Sequence, residues 1–250
     1  MKSDAVLHFG AFTEENSPLR DPLTTVKRAK DVKPEWFHKQ KEGDMTQHFA
    51  NCPGMHDLMN YGYLIPAWTD IKIIQTKQEV TIMYSDLSQR KPTKMNHNLL
   101  RGAVTTKGVP FSIQRLPGPW YIKAVPGWSV ILQAPFFHNP KLQDLVVYPG
   151  ITDNDTFYTT NFIFSCRTEC EIEIKKGEPI LHVIPFKREH VPATVGSVTE
   201  EMAKFARAED FKHDDRERAY YRKHYHTQKT FDLEEAPKCP YHHKLHFGQE

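Results

Sequence analysis

Cys170-Glu171-Ile172-Glu173-Ile174, then Lys176-Gly177, then Pro179-Ile180-Leu181-His182-Val183-Ile184-Pro185-Phe186: this stretch sets the class of the fold. Successive side chains of an extended strand point to opposite faces, so the first run turns isoleucines one way and carboxylates the other. It predicts a strand with one face in a core and its glutamates in water. Lys176-Gly177 is a turn signal. The run after it is nearly all apolar and predicts a strand lying inside.

The same texture extends upstream. Tyr61-Gly62-Tyr63-Leu64-Ile65-Pro66, Ile71–Ile74 and Glu79–Tyr84 are short β-branched and aromatic runs separated by turn formers. Trp120–Ala124, Trp128–Leu132, Leu145–Tyr148 and Asn161–Phe164 continue the pattern. Many short strands at this spacing predict a mainly β fold, a sandwich or a small barrel. Residues 85–110 are polar and read as a long excursion from the sheet, and Arg90, Lys91, Lys94 and Arg101 mark it as exposed.

The flanks differ from this centre. Residues 1–45 are polar and broken by Pro18, Pro22 and Pro34, which predicts an extended N-terminal arm anchored by the adjacent rings of Trp36 and Phe37. Residues 46–190 then form the β domain. Ser197-Val198-Thr199-Glu200 is a capping box, and Met202, Phe205, Ala206, Tyr220, Tyr221 and Tyr225 follow at near-helical spacing. This predicts a C-terminal α-helix over 197–230, followed by a polar, histidine-rich tail over 231–250.

Composition narrows the class of function. Hydrophobic residues make up 39% of the 250 and charged residues 26%, enough for a packed core. With 33 basic against 31 acidic side chains the formal charge is +2, so no global field draws in nucleic acid or an anionic membrane. No apolar run reaches the ~20 residues a membrane helix needs. The first residues lack the apolar core of a secretion signal, and four cysteines are too few for a disulfide scaffold. The expected setting is the cytoplasm.

Three segments carry a resemblance. In order they are Pro126-Gly127-Trp128-Ser129-Val130-Ile131-Leu132-Gln133-Ala134-Pro135, Tyr148-Pro149-Gly150-Ile151-Thr152-Asp153-Asn154-Asp155, and Lys176-Gly177-Glu178-Pro179 running on to Phe186. Their sequence and spacing resemble the trimeric dUTPase and dCTP-deaminase superfamily. The resemblance implies a distorted β-barrel of the β-clip type, a homotrimer, and sites between subunits where a carboxylate positions water against a nucleotide phosphate. Asp153 falls on that carboxylate's position, with Asp155 beside it. Gly150, Phe157 and Tyr158 are the implied ligand-binding residues, and magnesium would accompany a bound triphosphate.

The departures from that pattern bear on chemistry. Ala134-Pro135-Phe136-Phe137 stands where the superfamily has a Pro-Arg-Ser turn, Thr156 replaces the base-packing tyrosine, and the glycine-rich closing arm is absent. Asp153-Asn154-Asp155 also reads as a plain solvated turn. The first expectation is therefore a non-enzymatic or accessory protein on this fold, acting by partner binding or self-assembly. A nucleotide-binding or nucleotide-hydrolysing protein with an altered site comes second, and a metal-dependent oxygenase-like β protein third. The chain also resembles an uncharacterised family of phages and bacteria over most of 36–190. Its marks are Cys52-Pro53-Gly54-Met55-His56-Asp57, Gly62–Ile65, Trp68, Asp70, Pro126-Gly127-Trp128 and Ile184–Arg188.

Other clusters have two readings each. Cys52, His56 and Asp57 suit a metal or nucleophilic pair, or a buried cysteine beside a short helix. Cys166 and Cys170 are three residues apart, wider than a zinc knuckle, and read as thiols at the ends of a hairpin. Cys239, His242 and His246 are the metal candidates by composition, against a tail that binds metals adventitiously. Arg216, Arg218, Arg222, Lys223 and Lys229 among tyrosines suggest a basic aromatic surface, which Asp210, Asp214, Asp215 and Glu217 dilute.

Overall fold

A computed structural model describes residues 6–11, 21–34, 36–37, 53–84, 93–94, 113–193, 196–197 and 200. Residues 1–190 make one compact unit and 191–250 a second. The expected C-terminal helix and the tail lie almost wholly outside the described residues.

The first unit is mainly β, and every strand pairing described in it is antiparallel. In chain order the strands are β1 Leu7–Ala11, β2 Lys27–Arg28, β3 Tyr63–Pro66, β4 Ile71–Gln75, β5 Val80–Tyr84, β6 Thr93–Lys94 and β7 Gln114–Ala124. They continue as β8 Trp128–Gln133, β9 Leu145–Val147, β10 Gly150–Thr152, β11 Thr159–Cys166, β12 Cys170–Ile174 and β13 Pro179–Lys187. An α-helix, α1, spans Pro53–Asn60. The strands form three sheets: β1-β7-β11-β9 with β6 beside β7, then β10-β8-β13-β3-β2, then β12-β4-β5. None of them closes on itself among the described residues.

β12 behaves as its sequence dictates. Ile172 and Ile174 are buried, Glu171 and Glu173 are exposed, and Lys72 on the neighbouring β4 forms an ion pair with Glu171. One apolar core draws on all three sheets, with Ile71 and Ile174 from the smallest, Trp120 and Phe162 from the first, and Val130 and Val183 from the second.

Two features depart from the sequence expectation. β1 and β2 lie within the N-terminal arm, yet both are sheet members, and β1 pairs residue for residue with Trp120–Ala124. β7 also begins six residues before Trp120 and runs through Pro117-Gly118-Pro119. Proline cannot donate to a ladder and is tolerated at edges and bulges. Among the described residues β6 pairs with Gln114 and Arg115, the β1 ladder starts at Trp120, and β11 shifts register between Thr159 and Asn161. Pro119 falls in that gap of the β11 ladder, and Pro117 lies at its edge opposite Asn161. Gly118 is required by crowding, because a Cβ there would sit 2.8 Å from Thr160 Oγ1.

Candidate functional site

The antiparallel pairing of β8 and β10 places the first of the two aspartates. Thr152 lies opposite Val130, so the next residue, Asp153, faces Ser129. The buried Ser129 hydroxyl donates to Asp153 Oδ1 at 2.6 Å. The amides of Thr156 and Phe157 both donate to the Asp153 carbonyl at 2.9 Å, which closes the turn. Asn154 is its pivot and is buried. Its amide donates to the carbonyls of Ile122 at 3.1 Å and Phe157 at 3.0 Å, and its Oδ1 accepts from Thr152 Oγ1 at 2.7 Å. A solvated turn therefore describes only part of this segment, because its central side chain is a buried connector to β7.

Asp155 points back toward the β7–β8 connection. Gly127 sits there at φ +84 after Pro126, the left-handed conformation that a Pro-Gly turn needs. The Gly127 amide donates to Asp155 Oδ2 at 3.1 Å. Arg188, whose amide donates to the Gly127 carbonyl at 2.8 Å, brings its guanidinium to both carboxylates. It lies 3.2 Å from Asp153 Oδ2 and also pairs with Asp155 Oδ2. The Asp155 side chain is 13% exposed, and its Oδ1 is buried without a hydrogen-bond partner. The Gly127 amide, and then the Arg188 charge, hold the Asp155 carboxyl below the usual carboxylate range. Both carboxylates thus share one guanidinium, and the cluster ties β10, β13 and the β7–β8 turn together.

Exposed apolar side chains occur in this segment and in the β7–β8 connection. Ile151 is 66% exposed, Phe157 50%, Val125 40% and Tyr158 38%. Tyr158 donates its hydroxyl to the Asp155 carbonyl at 3.0 Å, and Gly150 opens β10 in an exposed position. Asp153, Asp155, Gly150, Phe157 and Tyr158 all belong to this one segment, 150–158. Arg188 and Ser129 were not singled out for their side chains. The signal that finds them is the register, in which β13 runs antiparallel to β8 with Lys187 opposite Trp128, so that Arg188 comes next to Gly127.

The other candidates are dispersed. Cys52, the excursion residues Arg90, Lys91 and Arg101, the basic run 216–229, and Cys239, His242 and His246 lie outside the described residues. His56 sits on α1 with Nδ1 2.9 Å from Asn60 Nδ2, and its ring lies 5.9 Å from that of Phe37. Phe37 is buried, and the Trp36 indole donates to the Phe137 carbonyl at 2.9 Å, so both rings anchor on the β unit. Cys166 and Cys170 are free thiols. Burial pushes the Cys166 thiol up to about 12 and raises Cys170 as well, which makes both poor nucleophiles at neutral pH. Among the described residues no three His, Cys, Asp or Glu side chains are grouped closely enough to hold a metal ion, and no helix is long and apolar enough to cross a membrane. No protein-family model matches the chain, and no curated protein matches it.

Proposed function

We propose that the chain is a non-enzymatic accessory protein with a β-clip-like path, and that it acts by associating with further copies of itself through the β10 edge. The observation that carries this is the exposure of four large apolar side chains, Ile151, Phe157, Val125 and Tyr158, in and beside the segment whose two carboxylates share Arg188. Exposed apolar clusters on a strand edge mark association surfaces. Asp153, held by Ser129 and Arg188, and Asp155, held by the Gly127 amide and Arg188, are poorly placed to take a proton from water. A homotrimer is the assembly that the resemblance favours. The cytoplasm is the setting that goes with this reading.

Light scattering at several protein concentrations tests this reading. The wild type is expected to give a multiple of the chain mass, and Ile151→Asp with Phe157→Asp is expected to give the monomer with its thermal unfolding retained. A strict monomer throughout would overturn the proposal.

A second reading rests on Arg188. Its guanidinium, two carboxylates able to hold magnesium, and the exposed rings of Phe157 and Tyr158 make the elements of a nucleotide site. Thermal unfolding with a panel of nucleotides plus magnesium separates the two readings. Stabilisation that is lost in Arg188→Gln supports nucleotide binding, and no shift with any nucleotide removes it.

A further inference from the structure

A second cluster lies away from the aspartate turn, where α1, the loop 134–139 and β13 meet. Leu58, Met59, Gln133, Phe137, His138 and His182 line a cavity of about 10 Å³, close to the least space that admits one small guest. The two imidazoles face each other edge to face, with ring centroids 6.0 Å apart. A single ion ~2 Å from one nitrogen of each ring can bridge a gap of that size.

Each histidine is held by its surroundings. His182 is 2% exposed, and its Nε2 is 2.6 Å from the Tyr61 carbonyl. A carbonyl only accepts, so Nε2 carries the proton and Nδ1 carries the lone pair. Such backbone anchoring of one ring nitrogen is what orients metal-binding imidazoles. His138 Nε2 is buried and has no hydrogen-bond partner. The loop around it is fixed: the His138 amide donates to the Pro135 carbonyl at 2.8 Å, and the buried Asn139 side chain donates to the Pro179 carbonyl at 2.9 Å. Met59, 3% exposed, lines the same wall.

We propose that this pocket is a binding site for one soft monovalent cation of the copper(I) class, held by the imidazoles of His138 and His182 with the thioether of Met59. The donor set selects the ion. Thioether and imidazole suit copper(I), whereas zinc and other dications look for four donors and anionic compensation. No carboxylate or thiolate lines the pocket, and burying an uncompensated double charge is costly.

The test uses the full chain with Cys239→Ser, His242→Asn and His246→Asn, which removes the candidate ligands of the tail. Copper(I) is titrated anaerobically against a chromogenic chelator, and silver(I) serves as a redox-inert probe in thermal unfolding. One equivalent is expected, with silver(I) raising Tm. Met59→Leu keeps the packing volume and is expected to weaken affinity at least tenfold. His138→Gln is expected to abolish both the equivalent and the Tm shift. Imidazole nitrogen resonances of His138 and His182 that move on silver(I) addition report the site directly, whatever the stability of the variants. Unmoved resonances, or the same stoichiometry in parent and His138→Gln, would overturn the proposal and leave a pocket that holds water only.

Discussion

Burial, and then the neighbouring charge of His182, hold the His138 imidazole down to about 4, and burial holds His182 down as well. An imidazole whose folded pKa lies below its unfolded value near 6.5 binds fewer protons in the native state than in the unfolded chain. Its contribution to stability is complete above pH 6.5 and is lost as pH falls toward 4. Tm of the metal-free protein is therefore expected to decline across that window, and His138→Gln to flatten the slope in a pH series of thermal unfolding. An unchanged slope in that variant would remove the assignment. At this scale the sequence was partly legible. Asp153, Asp155, Phe157 and Tyr158 could be picked out because a contiguous segment brings them together. Arg188, Ser129, His138 and His182 were hidden as a set, since each depends on partners tens of residues away, and a lone histidine in an apolar strand such as His182 reads as core.

Among the elements, β12 and β13 follow directly from their residue patterns, since alternation and apolarity are properties of the strand itself. β1, β2 and β10 do not, because two to five residues carry too little pattern and only a partner strand makes them extended. β7 is the instructive case: Pro117-Gly118-Pro119 has the composition of a turn, and gaps in the adjoining ladders let it stay in the strand. Gly118→Ala is expected to destabilise by about 1–3 kcal/mol, the usual cost of overpacking. Thr160 cannot yield easily, being buried with its hydroxyl donated to the Trp120 carbonyl at 2.9 Å. Thr160→Ala removes the clashing oxygen, so a double-mutant cycle by denaturant unfolding is expected to show favourable coupling between the two sites. Strict additivity would show that the crowding is relieved elsewhere.

For the molecule as a whole, the mainly β class was legible from strand spacing, while the division into three open sheets was not, since long-range pairing leaves no mark in local composition. Self-association predicts a further property of the whole chain: its Tm should rise with protein concentration and lose that dependence in Ile151→Asp with Phe157→Asp. A concentration-independent Tm in the wild type would count against the assembly. The pairing of β1 also bears on how the chain is made. Leu7 lies opposite Ala124, so β1 has no described partner until more than a hundred further residues have been synthesised, whereas β3 finds β2 already made. At roughly 5–20 residues per second that wait is on the order of ten seconds, during which β1 leaves the ribosome as an unpaired segment. The N-terminal strand is thus the part of this protein with most to gain from a chaperone during translation.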